Sequence, residues 1–251
     1  MLSGAWPYPR IIAHRGGGAH APENTLAAIA VAARMGARMV EFDTMLTADG
    51  TAVLMHDETL TRTTTATGRI DEYSEADLAR IDAGARWHPA FAGEPVPTLA
   101  QALELCIRLG LCVNVEIKPV QGADAKTGEV VGQLCAAVRR DRWPAGLPPP
   151  LMSSFSEASL AAAARVAPEL PRALLCDPVP ADWRERARTL GASALHCPAQ
   201  CEPDRGSLIT PIADAGLPVL YYTVNDATLA ETLMANGAAG LFTDRLDRLL
   251  S

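Results

Sequence analysis

The chain has 251 residues, of which 49% are hydrophobic and 20% charged, so it can bury a large core and extensive disorder is excluded. Its formal net charge is −7, which argues against the basic surface of a nucleic-acid-binding protein. Any anionic ligand must therefore be held by a few local groups rather than by the overall charge.

The chain lacks the features of a membrane or secreted protein. No uncharged apolar run approaches the roughly 20 residues of a spanning helix, and the first residues lack the basic and apolar regions of a signal peptide. Six cysteines stand singly, with no Cys-x-x-Cys pair, which favours reduced thiols. We expect a cytoplasmic protein without stable membrane association and without a nucleic acid partner. The sequence indicates no oligomeric state.

Short strand-like runs alternate with amphipathic helical patterns, which is typical of βαβ units in an α/β protein. Helices are predicted between the strands, four of them at Thr25–Met35, Leu99–Leu109, Gly128–Arg139 and Glu157–Val166. Eight strands are predicted, at Arg10–His14, Met39–Asp43, Cys112–Lys118, Pro150–Ser153, Arg172–Leu175, Ala194–His196, Pro218–Val224 and Gly240–Thr243. Eight alternations in a chain of this length favour a (β/α)8 TIM barrel as a single domain over residues 1–251.

One stretch, at about residues 44–97, interrupts this alternation between the second strand and its helix. It is rich in threonine and contains a short helix signal at Ser74–Ile81, where Ser74 and Asp77 are spaced like a capping box. Loops at the carboxyl ends of barrel strands carry the active sites of these folds. We therefore predict that this insertion is a lid over a site.

Two predicted strands carry charges where a barrel interior should be apolar. In the third strand, alternation places Asn114, Glu116 and Lys118 on one face, and in the second it places Glu41 with Asp43. The opposite, apolar faces should pack beneath the helices, so the polar faces should point into the barrel. Burying a lone charge is costly, so each of these groups needs a partner, a metal or a substrate.

The three carboxylates of Glu41, Asp43 and Glu116 would repel one another unless a cation neutralised them. An oxygen-lined site of this kind suits one divalent ion, Mg²⁺ or Ca²⁺, and the sequence does not choose between the two. The alternative is a structural network in which Arg15 and Lys118 pair with the acids. Polar positions near the carboxyl ends of two barrel strands favour the site.

Two histidines are predicted to lie beside these acids. His14 ends the first strand, and His56 follows a short run after the turn signal Asp49-Gly50. A two-residue hairpin at that turn would place His56 opposite Asp43. With an ordinary pKa near 6.5, such a pair can serve as base and acid at neutral pH. His196, at the end of the sixth strand, is a weaker candidate for contact with a substrate.

Arg15 follows His14 directly and precedes three glycines. Its planar guanidinium matches the paired oxygens of a phosphate, and the glycines leave room for backbone to approach an anion. Asn24, in the segment Pro22–Thr25, is predicted to be an ordinary helix N-cap.

These segments together resemble the glycerophosphodiester phosphodiesterase family, in its bacterial cytosolic branch, over nearly the whole chain. The motifs that carry the resemblance are His14-Arg15-Gly16, Pro22-Glu23-Asn24-Thr25, Glu41-Phe42-Asp43, Leu54-Met55-His56-Asp57, Val115-Glu116-Ile117-Lys118, Ser153-Ser154-Phe155, Tyr222-Thr223-Val224-Asn225 and Thr243-Asp244.

The resemblance implies a TIM barrel with the family's insertion after the second strand. It implies His14 and His56 as the acid–base pair, and one divalent ion on Glu41, Asp43 and Glu116. It also assigns four residues to the substrate. Arg15 and Lys118 would bind the phosphate, and Phe155 and Tyr222 would line the pocket.

The predicted activity is metal-dependent hydrolysis of small glycerophosphodiesters, such as glycerophosphocholine and glycerophosphoethanolamine, to sn-glycerol 3-phosphate and an alcohol. We assign His14 as base and His56 as acid, an order that the sequence does not determine. The nucleophile is water or the 2-hydroxyl of the glycerol. Two alternatives are a phospholipase-type phosphodiesterase acting on lipid head groups and a non-catalytic binding barrel.

Overall fold

The computed structural model of the chain describes residues 6–201 and 209–250, and its order of elements follows the predicted alternation. Residues 1–5, in which no signal peptide is predicted, and the side chain of Cys201 lie outside the described part. The strands are β1 (Ile11–Ala13), β2 (Met39–Leu46), β3 (Ala52–Leu54), β4 (Cys112–Ile117), β5 (Leu151–Ser154), β6 (Arg172–Leu175), β7 (Ala194–Pro198), β8 (Val219–Tyr222) and β9 (Gly240–Thr243). The helices are α1 (Leu26–Arg34), α2 (Glu75–Leu78), α3 (Leu99–Leu109), α4 (Asp124–Asp141), α5 (Glu157–Val166), α6 (Trp183–Leu190), α7 (Ile209–Asp214), α8 (Ala227–Ala235) and α9 (Leu246–Leu249).

All eight predicted strands form, and they close into a parallel barrel. The strand order is β1-β2-β4-β5-β6-β7-β8-β9, and β9 returns to pair with β1, Ile12 lying opposite Phe242. The fold is thus a (β/α)8 TIM barrel, as the alternation predicts. β3 is an additional antiparallel strand on the edge of β2. In the described part of the chain, no helix combines the length and the apolar character needed to cross a membrane.

The barrel interior changes character along its axis. Its lower part is an apolar cluster formed by side chains from successive strands, among them Ile12, Met39, Leu151, Leu220 and Phe242. The outward faces of the strands pack under the helices in a separate and larger cluster. The inward positions nearer the carboxyl ends of β2 and β4 carry the predicted polar side chains, so the apolar cluster forms the base beneath them.

The prediction that His56 lies opposite Asp43 in the hairpin between β2 and β3 is wrong by one residue. Thr44 pairs with Leu54, and the amide of Met55, not of His56, donates to the carbonyl of Asp43 at 3.1 Å. The loop has three residues rather than two and closes with Gly50 at φ 79°. A three-residue loop with a left-handed glycine is a common hairpin connection, and it shifts every pair by one.

The start of α1 differs from the prediction. The hydroxyl of Thr25, not the side chain of Asn24, accepts the capping hydrogen bond from the amide of Ala28. Asn24 has a φ of 58° and turns its side chain towards β2 instead. The predicted capping box of Ser74 and Asp77 forms at α2.

Gly128 sits where α4 and α5 pack closely, and we expect Gly128→Ala to destabilise the fold. A Cβ at this position would overlap the backbone carbonyl of Ser159, so the helices must separate. Overpacking of this kind costs about 1–3 kcal/mol. Gly146→Ala, where a Cβ would meet open space, is the matched control. Urea unfolding at constant metal concentration measures both, and equal stability of the two variants would contradict the prediction.

Candidate active site

A cavity of about 170 Å³ opens at the carboxyl ends of the barrel strands. This cavity is lined by all nine predicted site residues, namely His14, Arg15, Glu41, Asp43, His56, Glu116, Lys118, Phe155 and Tyr222. The rest of the cavity wall is formed by Asn114, Leu175, His196, Thr223 and Phe242. The structure thus gathers side chains from both ends of the chain around one space.

The acidic triad lies in this cavity, with ligand oxygens of Glu41, Asp43 and Glu116 all within 4.8 Å of one another. Glu41 and Asp43 are each 2% exposed, and Glu116 is slightly more exposed. Burial, and then repulsion from the neighbouring carboxylates, holds the pKa of Glu41 well above its ordinary value. Burial and the charge of Asp43 likewise raise the pKa of Glu116 to about 8.

These residues fit a divalent cation. One oxygen of Glu41 is buried without a hydrogen-bond partner among the described residues, although the backbone amide of Arg15 donates to the other at 2.9 Å. A buried carboxylate oxygen with no donor is costly unless a cation takes the donor's place. Three carboxylates that offer hard oxygen ligands are the set that Mg²⁺ and Ca²⁺ prefer. The triad can therefore hold such an ion.

Asp43 is fixed from three sides. The amide of Asn24 donates to Asp43 Oδ2 at 2.8 Å, and its carbonyl oxygen accepts from the backbone amide of Asp43 at 3.0 Å. Arg15 Nε lies 3.6 Å from Oδ2, and Lys118 Nζ lies 3.7 Å from Oδ1. Arg15 and Lys118 are thus both paired with Asp43, and both line the cavity. The ion-pair network that the sequence offered as an alternative to a ligand site is therefore formed by residues of the candidate site itself.

His14 is oriented by a carboxylate. Its Nδ1 lies 2.7 Å from Asp244 Oδ1, and its Nε2 lies 4.0 Å from Glu41 Oε2. Asp244 is held in turn by Asn225, whose amide donates to Oδ2 at 3.0 Å and whose carbonyl oxygen accepts from the Asp244 backbone amide. The amide of Asn225 holds Asp244 without contributing a charge of its own.

His56 is oriented in the same way but in a different electrostatic setting. Its Nδ1 lies 2.6 Å from Asp57 Oδ1, and Arg62 donates to both oxygens of Asp57. Arg62 also donates to both oxygens of Glu23, and Glu23 accepts from Arg15 at 3.0 Å. Burial is the largest influence on His56 and lowers its pKa. Arg62 therefore links the insertion to the loop after β1.

Two aromatic side chains stand at the outer part of the cavity. Phe155, 48% exposed, meets Tyr222 edge to face with ring centroids 6.0 Å apart. The hydroxyl of Tyr222 donates to the carbonyl of Cys176 at 2.8 Å, which fixes the ring. An apolar wall beside a charged site suits the carbon skeleton of a small ester.

The model of the glycerophosphoryl diester phosphodiesterase family matches residues 14–248 of the chain, from the first candidate histidine to α9. The chain belongs to this family. A glycerophosphodiester phosphodiesterase of Caldanaerobacter subterraneus subsp. tengcongensis is 31% identical over 245 residues, which cover 96% of each chain. The chain is accordingly an enzyme of the phosphoric diester hydrolase class.

Solved structures agree with this membership. A phosphodiesterase of Oleispira antarctica, described in complex with the product sn-glycerol-3-phosphate, superposes with a TM-score of 0.90. It is 34% identical, and the match covers 97% of this chain and 96% of the other. A glycerophosphodiester phosphodiesterase of Agrobacterium tumefaciens has a TM-score of 0.76 at 28% identity, with 96% and 98% covered.

Four residues that hold the side chains of the candidate site in place are not predicted from the sequence. Asn24, Asp57, Asn225 and Asp244 all lie in motifs that carried the resemblance, yet none is singled out as a site residue. The sequence signal is weak: Asp244 directly follows the last strand, whereas the φ of 58° at Asn24 is known only from the structure. Each acts by holding another side chain, which spacing alone does not reveal.

We expect Arg62→Gln to lower kcat about 10-fold, because His56 would lose the group that fixes its carboxylate partner, and small misplacements of catalytic groups are costly. Thermal stability should change little, since exposed ion pairs contribute about 0–1 kcal/mol. Arg140→Gln, which removes an exposed pair with Asp141 far along α4, is the matched control. Steady-state kinetics of the two variants measure the difference, and equal kcat values would contradict a positioning role for Arg62.

Proposed function

We propose that the enzyme hydrolyses small glycerophosphodiesters to sn-glycerol 3-phosphate and a free alcohol, with His14 and His56 as the acid–base pair and Mg²⁺ or Ca²⁺ on the acidic triad. The observation that carries the proposal is the paired arrangement of the histidines. Each has a carboxylate on Nδ1, so each keeps Nε2 available in the cavity that contains the triad.

The charged groups of the cavity suit a phosphodiester. Arg15 and Lys118 each keep over a fifth of the side chain exposed, so their donors are available to phosphoryl oxygens. When bound at the triad, the divalent ion supplies further positive charge that stabilises the negative charge growing on those oxygens. The proposed ligands Glu41, Asp43 and Glu116 leave both histidines unliganded for proton transfer.

The surroundings of the two histidines favour an order that reverses the one chosen from the sequence. Asp57 is neutralised by Arg62, and the lowered pKa of His56 favours its neutral form, which can accept a proton from the nucleophile. His14 faces Asp244, which an uncharged amide holds, so we assign it the remaining role of donating a proton to the leaving alkoxide. We therefore propose His56 as base and His14 as acid.

The insertion is proposed as a lid for the same site. His56 and Asp57 come from its start, and the bond from Arg62 to Glu23 fastens it to the loop after β1. The exposed Trp87 lies further along the insertion and lines a surface pocket together with Glu23 and Arg62. Closing this segment over the cavity would exclude water from the charged groups.

Glycerophosphocholine is the substrate with which to test the proposal. Purified enzyme with Mg²⁺ or Ca²⁺ should release glycerol 3-phosphate, which a coupled glycerol-3-phosphate dehydrogenase assay detects as NADH. Glycerophosphoethanolamine should react as well. Intact phosphatidylcholine vesicles should give no product, and release from vesicles in preference to the small diesters would favour the phospholipase alternative. No release from either, with any divalent ion, would contradict the proposal.

A further inference from the structure

His196 is a buried polar residue at the base of the cavity. The imidazole is 0% exposed, and neither ring nitrogen has a hydrogen-bond partner among the described residues. On one side it packs against Phe242, with ring centroids 4.9 Å apart, and its strand neighbours in register are Leu175 and Leu220. A polar side chain with apolar neighbours on three sides is costly to bury, so it needs a ligand from the cavity that it lines.

Asn114 shows the same feature on the opposite side of the barrel. It is 1% exposed, and its amide donates to the hydroxyl of Ser153 at 2.9 Å, while its carbonyl oxygen has no partner among the described residues. On β4 it lies two residues below Glu116 and in register with Glu41. Asn114 is therefore level with Glu41 and below Glu116, and it lines the same cavity as His196. We call this pair the cavity floor.

The chemistry of the floor is neutral. Burial lowers the pKa of His196 to about 3, so the imidazole carries no charge at neutral pH and offers one N–H donor and one acceptor nitrogen. Asn114 adds an acceptor oxygen. Neither group favours a phosphate, and the cationic side chains Arg15 and Lys118 are paired with Asp43 above the floor. One donor and two acceptors suit a pair of hydroxyl groups, each of which both donates and accepts.

We propose that His196 and Asn114 form a binding subsite for the hydroxyl groups of the glycerol moiety. The inference rests on the proposed function and extends it to the orientation of the substrate. The polyol end would enter first and reach the base of the cavity, its phosphate would lie between Arg15 and Lys118, and the alcohol head group would face the exposed Phe155 at the mouth. The enzyme would then select for glycerol and tolerate different head groups.

The test compares two ligands that share a phosphate monoester and differ in hydroxyls, glycerol 3-phosphate and methyl phosphate. Binding to the metal-loaded protein is measured by isothermal titration calorimetry for the wild type, His196→Phe and Asn114→Leu. We expect each variant to lose about 10–100-fold in affinity for glycerol 3-phosphate, since one buried hydrogen bond left unmade costs about 1–3 kcal/mol. Affinity for methyl phosphate should change less than threefold.

A second readout distinguishes this role from a structural one. His196→Phe removes an unpaired polar ring from an apolar setting, so the melting temperature of the unliganded variant should equal or exceed that of the wild type. His196→Gln, which keeps a donor and an acceptor, should retain part of the preference for glycerol 3-phosphate. His88→Phe, at an exposed histidine of the insertion, is the matched control for the substitution.

The outcomes separate the two proposals. If the wild type releases glycerol 3-phosphate from glycerophosphocholine but His196→Phe and Asn114→Leu keep its preference over methyl phosphate, the subsite is refuted and the proposed function stands. If His196→Phe does not fold, Asn114→Leu decides alone. A loss of affinity for both ligands in equal measure would also refute the subsite. A wild type that neither hydrolyses the diester nor prefers glycerol 3-phosphate would refute the function itself.

Discussion

Replacing either histidine of the proposed acid–base pair should reduce kcat for glycerophosphocholine by about 10²–10⁴-fold, the usual contribution of general acid–base catalysis. In His14→Ala and His56→Ala the three carboxylates of the acidic triad are unchanged, so the affinity for the divalent ion should remain within a few-fold of the wild type. Stopped assays for turnover and calorimetric titration with the metal give the two quantities. His88→Ala, at an exposed histidine in the insertion, should retain wild-type turnover.

The leaving group distinguishes the two histidines. A general acid matters most when the departing alkoxide is a poor leaving group, as with choline, and least when it is 4-nitrophenolate. His14→Ala should therefore recover most of its activity on the 4-nitrophenyl ester of glycerol 3-phosphate, while His56→Ala should remain impaired on both substrates. The opposite pattern would favour the assignment made from the sequence, with His14 as base and His56 as acid. Wild-type turnover in either alanine variant would refute acid–base catalysis by that histidine.

Removing divalent ions should abolish hydrolysis. Dialysis against EDTA is expected to bring activity below detection, and addition of Mg²⁺ or Ca²⁺ should restore it, because the positive charge that stabilises negative charge on the phosphoryl oxygens is then missing. Glu116→Gln should raise the metal concentration needed for half-maximal activity. Phe91→Tyr, in the insertion, is a control that leaves the triad intact. Full activity after exhaustive chelation would contradict the assignment of a metal to Glu41, Asp43 and Glu116.

The same carboxylates predict how stability depends on pH without metal. The pKa of Glu116, raised from an ordinary 4.5 to about 8 by burial and by Asp43, means that the folded state binds a proton that the unfolded state has released. This contribution to the free energy of unfolding is complete below pH 4.5 and is lost as the pH rises through about 8. Melting temperatures in EDTA should therefore fall from pH 5.5 to pH 8.5 by more than in Glu116→Gln.

Metal should reverse that trend. Binding requires ionised carboxylates, so it displaces protons at neutral pH and stabilises the protein more at pH 8.5 than at pH 5.5. Titrations in two buffers of different ionisation enthalpy measure the protons released. An equal metal-induced rise in melting temperature at both pH values would contradict the raised pKa of Glu116.

Much of the fold follows from local patterns in the sequence. Buried parallel strands are short apolar runs, and the glycines Gly110 and Gly191, both left-handed in the structure, mark the ends of α3 and α6. Period-2 alternation correctly placed Glu41 and Glu116 inside the barrel, because the side-chain direction in a strand depends only on position. Such local rules suffice for the strands and for the acids of the site.

What the sequence could not supply depends on turn geometry and on contacts between distant segments. The predicted hairpin register is wrong by one residue because Asp49-Gly50 is compatible with both a two-residue and a three-residue loop. The partners Asp244 and Asn225 lie more than 200 residues from His14. The sequence predicts a local cap for Asn24, because an asparagine side chain can serve either as a cap or across the loop to Asp43.

The attachment of β3 gives the insertion a particular freedom. β3 pairs with β2 on one side, while Val53 bridges to Thr98 and the amide of Leu54 donates to the carbonyl of Pro97 on the other. Both ends of the segment between His56 and Pro97 are thus anchored to the barrel. We expect exchanges of exposed side chains beyond Arg62 to leave the position of His56 unchanged. The exposed surface of the insertion could then vary while its two anchored ends keep His56 in the cavity with the triad.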